Sequence, residues 1–230
     1  MAGESEYNVL YERLRESPKE PDSAWLAETA RQLYRLTLCV EENPIEVRDD
    51  GFPYFVMTLM GEQNCPFGAT VEGVLDYLIQ NRLGLEFLTP TGFRFWYLSF
   101  GSVLAWRIYG TPDPPRFWNL PPDVDNREQL AEVESILVGQ PNEEMLPPSV
   151  RDVLRWAMTE QLGIAEPKVG LIRREREGGA GRLVLSLDPE HFGGEEPCFD
   201  AYKFLLWFVP PCIPTIHMPT LANSAWMTRL

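Results

Sequence analysis

The apolar positions of this chain recur with two distinct periods. Behind Thr70, the residues Val71, Val74, Leu75, Leu78 and Ile79 return at intervals of three and four, followed by Leu83, Gly84 and Leu85. Behind Ser149 the same grammar reappears as Val150, Val153, Leu154, Ala157 and Met158, then Leu162, Gly163 and Ile164. Each stretch predicts an amphipathic helix capped by the hydroxyl of Thr70 or Ser149, released by a glycine in the left-handed conformation, and continued as a strand. The recurrence reads either as a duplication or as grammar shared by two unrelated helices.

The same spacing predicts a short helix over 7–16, with Leu10 and Leu14 among charges, and another from Ser23, where Leu26, Ala30 and Leu33 share a side. That second helix runs into the strand-like TLCVEE before Asn43-Pro44. Alternation then takes over. Ile45 and Val47 alternate with charge, Asp50-Gly51 supplies a turn, and 54–60 is a β-rich run behind Pro53, together a hairpin. Segments 85–88 and 93–98 flank Thr89-Pro90-Thr91-Gly92 as a second hairpin, and Ser99 caps a helix over FGSVLAWRIYG. Strict alternation places Phe93, Phe95 and Tyr97 on one strand face and Arg94, Trp96 and Leu98 on the other. Both faces then need apolar cover between helical layers, or one of them is a recognition surface.

The segment TPDPPRFWNLPPD holds five prolines in thirteen residues, too many missing amide donors for a helix or central strand. Beyond it, Leu130, Val133, Ile136 and Leu137 predict an acidic helix over 127–138. A strand at 169–172, a glycine-rich loop, a return strand at 183–187, an apolar helix over 198–209 stopped by Pro210-Pro211, and an edge strand in CIPTIHM complete the series. The fold class expected is α+β: two related modules of helices packed on small antiparallel sheets, residues 1–111 and 126–230, joined by a proline-rich linker over 112–125.

Composition narrows the partners. Of 230 residues, 44% are hydrophobic and 12% aromatic, as in a packed globule, and no run reaches the roughly 18 uncharged apolar residues of a membrane span. The opening MAGESEYNVLYERL lacks a basic stretch followed by an apolar run, so a cytoplasmic location is expected. With 34 acidic against 20 basic residues the net charge is −14, which opposes nucleic-acid backbones and anionic lipid and would steer a basic partner. No nucleic acid and no membrane partner is expected.

Candidate chemistry is sparse. The two histidines are His191 and His217, and the four cysteines, Cys39, Cys65, Cys198 and Cys212, show no paired metal-ligand spacing. Ser186, Asp188 and His191 lie too close along one chain for triad geometry. Cys198 opens a helix, a position that favours thiolate, but Glu195, Glu196 and Asp200 oppose it and no histidine is fixed beside it by sequence. A zinc site from Cys198, Cys212, His191 and His217 has the ligand types without the spacing. The glycines at 178, 179 and 181 join two strands, whereas a phosphate cradle runs from strand into helix. No catalytic, cofactor or metal residue is therefore assigned.

The runs DGFPYFVMTL, VLDYLIQNRLGLEFLTP and WYLSFGSVLA resemble the N-terminal module of bacterial SseB-type proteins, named for enhanced serine sensitivity. The tail LPPSVRDVL, EPKVGLI and RLVLSLDPEHF is similar to that family's smaller C-terminal module. The resemblance implies a bacterial cytoplasmic α+β protein serving as a binding or accessory module, with no catalytic residue to carry over. The function expected is non-enzymatic protein binding, of which an immunity or inhibitor protein capping a basic toxin cleft is one version. Trp118, Glu128, Glu132 and Glu134 are the candidate partner-facing residues. The alternatives are a thiol- or histidine-dependent hydrolase built on Cys198 or His191, and a small-molecule sensing module.

Overall fold

The computed structural model describes residues 2–15, 23–59, 65–114, 136–174 and 181–230, and the chain divides into two units, 1–114 and 115–230. The architecture is α+β. The first unit runs α1 (Ala2–Arg15), α2 (Ser23–Arg35), β1 (Leu38–Val40), β2 (Ile45–Val47), β3 (Pro53–Thr58), β4 (Phe67–Ala69), α3 (Val71–Asn81), β5 (Gly84–Leu88), β6 (Arg94–Leu98) and α4 (Phe100–Tyr109). Its sheet has the order β4-β1-β3-β5-β6, with β2 sharing with β1 the outer edge of β3.

Alternation along β3 and β5 sorts the two faces of this sheet. Phe55, Met57, Leu85 and Phe87 meet Leu10, Leu33, Leu75, Leu78, Val103 and Trp106 in one core, so α1 to α4 cover that face. Buried Thr29 joins the first two helices by donating to the Trp25 carbonyl (2.8 Å) and accepting from Arg13 Nε (3.1 Å). The opposite face carries Tyr54, Val56, Gly84 and Glu86. Among the described residues no helix is long and apolar enough to cross a membrane.

The second unit runs β7 (Ile136–Gly139), α5 (Pro148–Trp156), a π turn (Ala157–Gln161), β8 (Lys168–Arg174), β9 (Arg182–Leu185), α6 (Pro189–Phe192), α7 (Glu195–Leu206), β10 (Thr215–Ile216), a 3-10 turn (Pro219–Leu221) and β11 (Thr228–Arg229). Its sheet has the order β10-β9-β8-β11, and β7 pairs with the other half of β8. Ile172, Val184, Ile216, Met218 and Met227 pack on one face with Trp226.

Several sequence expectations are corrected. Both sheets are mixed rather than antiparallel: β3 with β5, and β9 with β10, are parallel, because an intervening helix returns the chain to the end from which it started. Thr70 does cap α3 by accepting from the Gly73 amide, but Ser149 caps nothing; α5 opens on Pro148, whose absent N–H suits a first helical turn. Gly163 makes the left-handed exit expected of it (φ 70), whereas after α3 that conformation belongs to Arg82 (φ 54). Gly84 serves another purpose: a Cβ there would lie 2.7 Å from the Tyr54 ring and 2.8 Å from the Leu98 carbonyl. The helix expected over 127–138 is, at its described end, strand β7. Residues 115–125 of the linker, 127–135 of that helix and most of the glycine-rich loop lie outside the described residues.

The close approach at Gly84 gives a direct test. Gly84→Ala must push Tyr54 or the β6 backbone aside and is expected to lower stability by about 2 kcal/mol in urea denaturation. Gly139→Ala, where a Cβ meets nothing within 4 Å, is the control and stays within about 0.5 kcal/mol.

Candidate functional site

On the sheet face away from the helices, β5 places Glu86 at the centre of the first unit with 1% of its surface exposed. A carboxylate at such a position survives only if cations and donors replace its water. Two arginines from opposite sides supply them. Arg48, in the β2–β3 turn, gives Nε to Glu86 Oε2 (2.7 Å) and also contacts it through Nη2, while its Nη1 meets Glu46 (2.5 Å). Arg94, at the start of β6, faces Glu86 Oε1. Burial opposes the Arg48 charge most, yet the bond to Glu86 and the fields of Glu86, Glu46 and Asp49 together hold it above its ordinary value.

Arg94 reaches Glu86 because β6 is bulged. Phe87 pairs with Trp96 but Leu88 with Arg94, so Phe95 is an extra residue. Strict alternation would have left Arg94 with Trp96 and Leu98 against the helices; the bulge turns it to the face of Glu86 and Tyr97. Phe95 then stacks on Phe87, with centroids 5.9 Å apart, and the Arg94 guanidinium lies 5.7 Å from the Tyr97 ring centroid. Tyr97 meets Tyr54 edge-on, and the Tyr54 hydroxyl donates to Asp50 (2.7 Å). The segment FRFWYL, expected either between helical layers or with one face open for recognition, forms the edge strand β6 among the described strands, with Phe93 and Tyr97 exposed.

At the opposite side of the sheet, β2 exposes Ile45 and Val47 within EENPIEVRDD, whose acidic residues are all exposed. The Asp50-Gly51 turn closes this hairpin as expected, with Gly51 N–H donating to the Arg48 carbonyl (2.8 Å), and the strands pair Ile45 with Phe55 and Val47 with Pro53. The four partner-facing candidates from the sequence, Trp118, Glu128, Glu132 and Glu134, lie outside the described residues. The alternation of Ile45 and Val47 with charge was visible in the sequence; that both are exposed and that their strand sits at a sheet edge was not.

In the second unit the structure brings together a pair that sequence spacing missed. Cys198 Sγ lies 3.5 Å from His217 Nε2, because β10 runs parallel to β9 and carries His217 to α7. The His217 ring packs against Phe199 and Tyr202, at 5.3 and 5.2 Å between centroids. Nucleophile and base are the right types, but Cys198 has no exposed surface, and burial, with the carboxylates of Asp188 and Glu195, pushes its thiol up to about 11. His191 is elsewhere: its Nε2 bonds the Leu162 carbonyl (2.9 Å), left open where the π turn ends. Among the described residues, no cluster of three His, Cys, Asp or Glu residues is placed to hold a metal.

Two measurements follow from this chemistry. Glu86→Gln leaves Arg48 and Arg94 facing a neutral amide and is expected to cost about 2 kcal/mol or more in urea. Removing the exposed Arg107–Asp76 pair by Arg107→Ala changes stability by at most about 0.5 kcal/mol. Cys198 stays protonated from neutral pH to about 10, its reactive thiolate forming only as the pH approaches 11. In native protein at pH 7.5, iodoacetamide is expected to label half-buried Cys65 and spare Cys198 until denaturant is added, as read by peptide mass.

Compared with protein-family models, with curated proteins and with solved structures, the chain matches none of them.

Proposed function

We propose that this protein binds another protein without catalysing a reaction, in a bacterial cytoplasm, and that its partner presents a basic face. The observation that carries the reading is the β2 edge, where exposed Ile45 and Val47 sit within a stretch holding five exposed carboxylates and one arginine. Exposed apolar side chains contribute once buried against a partner, and a net charge of −14 steers a basic one before contact. Capping the basic cleft of a toxin, as an immunity protein does, is one form this binding takes. The resemblance to SseB-type proteins implies the same class of role.

The contact between Cys198 and His217 favours a second reading, a thiol-dependent hydrolase. Against it stand the missing surface at Cys198 and the protonated thiol, since a nucleophile must both ionise and reach its substrate.

Capture from the native host tests the first reading. The full chain is expected to retain one protein at about 50 mM salt and to lose most of it at about 300 mM, because exposed charges are screened beyond roughly 6 to 14 Å over that range. Val47→Asp should abolish retention without moving the melting curve, and reversal of Glu128, Glu132 and Glu134 should slow association. Retention indifferent to salt and to Val47→Asp, or an activity lost on Cys198→Ser at unchanged stability, would sink it.

A further inference from the structure

The backbone at the acidic edge has a definite hydrogen-bonding phase. In the β2–β3 ladder the Val56 amide donates to the Pro44 carbonyl (2.7 Å) and the Arg48 amide to the Phe52 carbonyl (3.1 Å). Residues 44, 46 and 48 therefore direct their hydrogen-bonding groups toward β3, and Ile45 and Val47 direct theirs away. Pro53, opposite Val47, fits that phase, since it has no amide to offer across the pair. No described strand pairs with the outer edge of β2; β1 meets β3 further along, at Cys39 and Thr58. Two amides and two carbonyls thus point outward from a strand whose side chains are exposed.

Side chains on either side of that edge differ in kind. Ile45 is the cross-strand neighbour of Phe55, and Phe55 meets Tyr77 of α3 edge-on at 5.9 Å. With Ile45 43%, Val47 69% and Tyr77 45% exposed, an apolar strip borders the edge on the helix side. On the other face stands Glu46, and beyond the two ends of the strand stand Glu41 and Glu42, then Asp49 and Asp50. Arg48, the one cation in this stretch, is engaged by Glu86 and Glu46, so the edge presents net negative charge.

We infer that β2 accepts an extended segment of a basic partner as an added strand, apolar residues of that segment lying over Ile45, Val47 and Tyr77 and alternating lysines or arginines lying toward Glu46. The inference rests on the protein-binding reading and adds its geometry. Main-chain bonds supply affinity, and the alternation of apolar and basic side chains supplies specificity. An edge guarded only against aggregation would keep its charge and omit the apolar strip.

The test uses the full chain and a fluorescent heptapeptide of alternating lysine and valine, followed by anisotropy at low salt. Binding is expected, with a scrambled peptide of the same composition at least tenfold weaker. N-methylation of alternate amides is expected to weaken binding about tenfold or more in one phase and little in the other, because an added strand turns every second amide toward β2. Val47→Pro removes one outward donor and leaves the β2–β3 ladder intact, so it should cost about three- to tenfold in affinity, while Val47→Thr, which keeps the donor, stays within about threefold. Peptide that binds equally in both N-methylated phases and to the scrambled control is held by charge alone, which overturns strand addition and leaves the protein-binding reading standing. Absence of any peptide binding also overturns it. A partner captured by the wild-type chain and held undiminished by Val47→Pro would do the same, whereas failure to capture any salt-sensitive partner bears on the protein-binding reading instead.

Discussion

The first unit depends on one carboxylate out of water. Glu86 occupies the central strand pair at 1% exposure, and a charge so placed is tolerable only while Arg48 and Arg94 remain beside it. That requirement fixes more than a salt bridge. Arg48 anchors the turn between β2 and β3, and Arg94 anchors the start of β6, so both flanks of the sheet are oriented toward one central side chain. The bulge at Phe95 belongs to the same arrangement: without the extra residue Arg94 would face the helices and Glu86 would lose half its compensation.

The consequence for function is a division between ordered interior and available edge. The Tyr54 ring and the Leu98 carbonyl approach Gly84 so closely that a Cβ there would clash, while β2 and β6 carry exposed apolar residues at the two sides. Charge accumulates on β2 and aromatics on β6. Among the described strands β2 presents exposed side chains and outward backbone groups, and on the proposed reading a preformed strand would limit the entropy lost on association.

In the second unit two reactive residue types meet where the sulfur has no exposed surface. Cys198 and His217 are 3.5 Å apart, a separation compatible with proton transfer, but burial that excludes a substrate also destabilises the thiolate. The two effects share one cause. His217, half-buried, packs against Phe199 and Tyr202, while the sulfur on α7 is fully buried.

Local patterns decided what they physically control. The period of Val71, Leu75 and Leu78 determined α3, the hydroxyl of Thr70 its start, Asp50-Gly51 the β2–β3 turn, and Gly163 the exit from α5 and its π turn, since each acts over one turn of chain. The α+β class and the alternation of Ile45 and Val47 were legible on the same terms; the exposure of those two side chains was not. Only tertiary structure decided that β3 and β5 run parallel, that Gly84 serves the Tyr54 ring while Arg82 takes the left-handed exit, that Phe95 bulges, and that Ile136 opens a strand. The pairings of Glu86 with Arg48 and of Cys198 with His217 were hidden for the same reason: they join residues distant in sequence, and their geometry is set by which strands become neighbours, a choice made by the free energy of the whole core rather than by any local run of side chains.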